Sequence, residues 1–120
     1  MKLDNVLARY YINAMKRRDI TPEVPLNQGL EALAQVLSAL KNPADIKSFL
    51  LDLCTPAEME ALVDRWQVVP LLIEAMPYRE IHEHTGVSVT TIGRVARTLN
   101  GGAGGYQAAV KRLGLAKANH

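Results

Sequence analysis

The chain has 120 residues, 48% of them apolar and 22% charged, which describes one folded globular domain and argues against disorder outside the ends. No run approaches the roughly 18 apolar residues of a membrane span, and the charged opening segment holds no uninterrupted apolar core, so the expected location is cytoplasmic. Cys54 stands alone, which excludes an intrachain disulfide and a thiolate zinc cluster within one chain. The net charge of +2 is unevenly spread: from Arg79 onward, Arg79, Arg94, Arg97, Lys111, Arg112 and Lys117 face only Glu80 and Glu83. That surplus suits a polyanionic partner, and solvated helix faces would produce it as well.

In chain order, Leu3, Val6, Leu7, Tyr10, Tyr11 and Ala14 repeat at the helical period and predict a first helix. Pro22 and Pro25 interrupt the period, so residues 1–26 read as a helix and a proline-containing linker. Leu30, Leu33, Ala34, Leu37 and Leu40 predict a second helix. Asn42 before Pro43 is a start signal for a third, with Ile46, Phe49, Leu50 and Leu53 as its apolar stripe. The segment "TPAE" places a capping threonine at Thr55, proline at Pro56 and a reciprocal acid at Glu58, which predicts a fourth helix from Pro56 to about Ala75. Pro70 removes a hydrogen bond to the Trp66 carbonyl and predicts a kink or an early end.

Pro77 opens a short helix around Ile81 that Thr85 and Gly86 close, with glycine suited to the left-handed turn. Val87 then packs inward and Ser88 caps the next helix, where Ile92, Val95 and Leu99 form a buried face. Two short helices joined by a tight glycine turn, over residues 77–100, make a helix-turn-helix. "NGGAGG" ends it, and Tyr106, Ala109, Val110 and Leu113 predict a last helix before the tail, within residues 101–120. The expected fold class is all-α, with six or seven short helices and no strand.

The second helix of the pair leaves Val89, Thr90, Thr91, Gly93, Arg94 and Arg97 toward solvent. Its N-terminus, at Ser88, offers free N–H groups and a positive dipole end to phosphate. Small residues let such a helix approach base edges, and threonine can touch a thymine methyl or donate to a base or phosphate. Arg79 can reach a guanine edge or a phosphate. An ordinary helical hairpin with charged outer faces has the same pattern. The residue four before the turn glycine is normally small, and here it is His82.

Other constellations carry less. His82 and His84 are two apart and point to different helix faces, unlike the i, i+4 pair of a helical zinc site, so no metal or cofactor is expected. "GGAGG" lacks the lysine and hydroxyl of a phosphate loop, and Trp66 lies on the apolar face of its helix. No convergent acid, base or nucleophile set survives placement on helices, which argues against an enzyme. A helical module that binds a protein or a small molecule, without DNA, is the alternative.

The segments "LCTPAEMEALVDRWQVV", "YREIHEHTGVSVTTIGRVARTLN" and "GGY" together resemble the tryptophan repressor superfamily, and most nearly its YerC/YecD branch, from about Asp52 to Leu113. The resemblance implies a DNA-binding regulator acting as an intertwined homodimer, with residues 27–76 as dimerisation helices and N-terminal helices interlocked across the two-fold axis. Its half-sites would lie about one DNA turn apart, near ~34 Å. It places Arg79 at a base or phosphate, His82 beside a phosphate, and Val89, Thr90, Thr91 and Gly93 toward the major groove. Thr55, Arg65 and Arg94 match the positions that surround the repressor's amino-acid ligand. The repressor has glycine where this chain has Val95, so the resemblance implies a small-molecule effector other than tryptophan, or none.

Overall fold

The computed structural model describes residues 20–115, so the predicted helix from Leu3 to Ala14 lies outside the described residues. All regular structure in that span is helical: α1 Leu26–Leu40, α2 Pro43–Leu53, α3 Pro56–Ile73, α4 Tyr78–Thr85, α5 Val89–Gly101 and α6 Gly105–Leu113. The chain divides into two compact units, residues 1–53 and 54–120.

In the first unit, α1 packs against α2. Leu33, Leu37 and Leu40 of α1 and Ile46, Phe49 and Leu50 of α2 are half-buried. Lys41 adopts a left-handed conformation (φ 59°) that ends α1. The Asn42 side chain then caps α2, its Oδ1 accepting from the Ala44 and Asp45 amides at 2.9 and 3.2 Å. Neither helix contains a single buried residue in this one chain.

The second unit is built on α3. Thr55 Oγ1 accepts from the Glu58 amide at 3.2 Å and Glu58 Oε1 accepts from the Thr55 amide at 2.8 Å, which closes the capping box expected from "TPAE". Those bonds hold the Glu58 carboxyl below its ordinary pKa of 4.5. Pro70 does not end the helix, which continues to Ile73. The end comes two residues earlier than the expected Ala75 because Ala75 itself turns left-handed, with φ 62°. The Met76 amide then reaches the Leu71 carbonyl at 3.1 Å and the Ala75 amide reaches Leu72 at 2.9 Å, a Schellman closure with alanine where glycine is usual.

α3 packs on both α4 and α5, α4 packs on α5, and α5 packs on α6. Their shared core is Val68, Val69, Ile81, Val87, Ile92, Val95, Leu99 and Val110, with Trp66, Leu72, Met76, Tyr106 and Leu115 packed around it. Ile81 and Ile92 are fully buried, and each contributes about 1.5–3 kcal/mol of hydrophobic stabilisation. At the end of α5, a Cβ on Gly102 would lie 2.6 Å from the Thr98 carbonyl oxygen, so only glycine fits there. Gln107 Nε2 donates to the Leu99 carbonyl at 2.9 Å and ties α6 to that end. Leu113, expected on the buried stripe, is exposed. The chain reverses at Gly114 (φ 67°), and Leu115 returns to the core with its amide bonded to the Val110 carbonyl at 2.9 Å.

Candidate nucleic-acid interface

The turn between α4 and α5 is held by a closed set of hydrogen bonds. Gly86 takes φ 74°, a conformation costly for any residue with a Cβ, and its amide donates to the His82 carbonyl at 2.8 Å. Thr85 Oγ1 donates to the Ile81 carbonyl at 2.7 Å and accepts from the Val87 amide at 3.1 Å, while Val87 itself is buried.

His82 occupies the position where a small residue is normally needed. Its ring is not wedged between the helices: the side chain is exposed and spans the turn, with Nδ1 2.7 Å from the Val87 carbonyl oxygen. A carbonyl can only accept, so Nδ1 carries the proton. The bulky residue is accommodated because it lies over the outside of the turn and bonds to it.

Ser88 caps α5 as expected, accepting from the Thr91 amide at 3.1 Å. Its own hydroxyl donates to Thr91 Oγ1 at 3.0 Å, which leaves the Thr91 hydroxyl proton free to donate outward. On α5, Ile92, Val95 and Leu99 are buried as the spacing requires. Val89, Thr90, Arg94 and Arg97 are exposed, and Thr91 and Gly93 are half-buried. Arg79 is exposed on the first turn of α4. The first turn of α5 carries no acid. The exposed part of α5 therefore carries a capped helix N-terminus, hydroxyls and two arginines, groups of the kind that meet phosphate and base edges.

Gly93 is half-buried because two side chains cover it. A Cβ built there would meet Arg97 Nη1 at 3.6 Å and Tyr78 Cε2 at 3.9 Å. Tyr78, 43% exposed, thus flanks the outer face of α5 from α4. Sequence periodicity does not single it out. The signal available was a glycine inside a helical pattern, which marks a place where something approaches closely.

The three residues matched to an effector pocket stand on two helices, Thr55 and Arg65 on α3 and Arg94 on α5. Thr55 caps the start of α3 and Arg65 lies ten residues on, about 15 Å along the helix axis at ~1.5 Å per residue. Thr55 is committed to Glu58, and Asp64 accepts from Gln67 Nε2 at 3.4 Å. Half-buried Arg65 and exposed Arg94 form no ion pair among the described residues. Val95 lies in the core at 1% exposure, so the chain's own side chain fills the space beneath α5. Among the described residues no cluster of histidine, cysteine and carboxylate side chains could hold a metal ion, and no helix is long and apolar enough to cross a membrane.

An all-helical unit whose outer elements form a glycine-turned helix-turn-helix defines a class of DNA-binding regulators. Comparison with known proteins gives the family. The model of the Trp repressor protein family matches residues 28–114. An uncharacterised protein, YerC of Bacillus subtilis (strain 168), is 37% identical over 84 residues, spanning 70% of this chain and 81% of that protein. The crystal structure of a TrpR-like protein from Eubacterium eligens ATCC 27750 superposes with a TM-score of 0.69 at 39% identity, covering 75% of this chain and 93% of that one. The chain belongs to the Trp repressor family.

Proposed function

We infer that the protein is a transcriptional regulator, a repressor by preference, that binds a palindromic operator as a homodimer and uses α5 as its recognition helix. The observation that carries this reading is the division of α5 into a buried face of Ile92, Val95 and Leu99 and an exposed face of Val89, Thr90, Arg94 and Arg97 behind a Ser88-capped N-terminus. Arg79, His82, Ser88, Thr91 and Gly93 complete the DNA surface. The family membership supports the class, and the surplus of bases after Arg79 supports the polyanion.

The homodimer rests on α1 and α2. Helices of 15 and 11 residues that bury nothing in one chain are marginal in water by themselves, and a second copy supplies the missing apolar surface. The effector, where there is one, is not tryptophan: buried Val95 stands where the repressor has glycine and occupies the space an indole would need. Titration with L-tryptophan, followed by Trp66 fluorescence, should show no saturable binding, and a micromolar signal would refute that statement.

Salt dependence of duplex binding tests the reading. A dimer that neutralises about six phosphates should lose on the order of a thousandfold in affinity between roughly 50 and 200 mM salt. Absence of any salt-sensitive duplex binding would point to a protein or small-molecule partner instead.

A further inference from the structure

We propose that His82 makes operator affinity proton-dependent, because its ring can donate to a DNA phosphate only as the imidazolium. This rests on the DNA-binding reading and names a regulation of the same surface. The ring spans the turn to Val87, the residue immediately before the Ser88 cap of α5, so it lies at the helix end that a phosphate chain would approach. Its Nδ1–H is committed to the Val87 carbonyl at 2.7 Å. In the neutral ring Nε2 therefore bears a lone pair, which a phosphate oxygen repels. Uptake of one proton at Nε2 turns that atom into a charged donor and leaves the Nδ1–H bond in place, so the turn keeps its geometry in both states.

The surroundings do not supply the charge in another way. On α4, Arg79 precedes His82 by one turn, and Glu80, Glu83 and His84 lie nearby in sequence. The elements packed against α4 carry Glu58, Glu60, Asp64 and Arg65 on α3, Glu74 just after it, and Arg94 and Arg97 on α5. None of these forms an ion pair with His82 among the described residues, so the approaching phosphate is the anion that would favour the imidazolium. DNA binding would raise the proton affinity of His82. The gain in operator affinity is then present where the ring is protonated and lost where it is neutral.

The test is a pH series of duplex affinity from about pH 5.5 to 8.5 at fixed ionic strength. A random duplex of roughly 30 base pairs is a sufficient probe, because phosphate contacts carry no sequence information. Wild-type affinity should fall about tenfold per His82 for each unit by which DNA raises its proton affinity. His82→Gln should flatten the profile, His82→Lys should be flat and tight at the alkaline end, and His84→Gln should keep the wild-type slope. Nitrogen chemical shifts of the free protein at neutral pH should show the Nδ1–H tautomer at His82. The Nε2–H tautomer, or an unchanged slope in His82→Gln, overturns the proposal. Salt-sensitive but pH-flat binding by the wild type overturns it while leaving the operator reading intact, whereas no duplex binding at any pH removes both.

Discussion

Gly93 illustrates how one missing Cβ shapes the surface of α5. Its place is taken by the Arg97 guanidinium and the Tyr78 ring, both at ordinary van der Waals distance from an added methyl. Gly93→Ala should therefore fold, and it should stabilise the protein by about 0.5–1 kcal/mol, since glycine inside a helix costs that much relative to alanine. Thermal or urea unfolding checks this, and a net destabilisation would mean that Tyr78 and Arg97 cannot give way. Gly102 behaves in the opposite manner: a Cβ there meets the rigid Thr98 carbonyl at 2.6 Å, so Gly102→Ala should cost roughly 1–3 kcal/mol. Thr90 separates fold from function. It is exposed in the first turn of α5, where an added carboxylate favours the helix dipole by about 0.3–1 kcal/mol but repels phosphate. Thr90→Asp should keep or raise stability while abolishing duplex binding; unchanged affinity would place the DNA elsewhere.

At the scale of elements, the starts of the helices were more legible than their ends. Thr55, Pro56 and Glu58, Asn42 with Pro43, and Ser88 each announce a start through a side chain that bonds to the backbone within three residues, and each bond is present. Gly86 announces the end of α4, but the ends of α1 and α3 rest on Lys41 and Ala75, which turn left-handed without being glycine, so no residue type gives them away. The same limit explains Leu113 and Leu115, because the reversal at Gly114 hands the buried position to a residue outside the helical period. The apolar positions of α5 were legible from spacing alone. The partners of His82 and the placement of Tyr78 beside Gly93 were not, since both arise from side chains reaching between elements. Ala75→Gly should raise the melting temperature by relieving the left-handed alanine, worth about 1 kcal/mol. The start of α3 also carries a pH dependence. Glu58 titrates below 4.5 in the folded chain, so its contribution to stability is present above 4.5 and is lost as pH falls through the lower folded value. Glu58→Gln should remove that acid-side loss in urea titrations followed by circular dichroism.

At the scale of the whole molecule, the two compact units differ in what they bury. Residues 54–115 enclose a core of eight buried apolar side chains, while α1 and α2 enclose none. A homodimer built through α1 and α2 predicts that the melting temperature rises with protein concentration, because dissociation and unfolding are then linked. Sedimentation should give twice the chain mass of 13.2 kDa. The most direct test of the central claim is selection of genomic fragments by the purified protein at physiological salt, with Thr90→Asp in parallel. Enrichment of a short palindrome by the wild type, lost in the variant, is the predicted result. A wild-type pool no different from background, or a palindrome that Thr90→Asp enriches equally well, would contradict DNA recognition through α5.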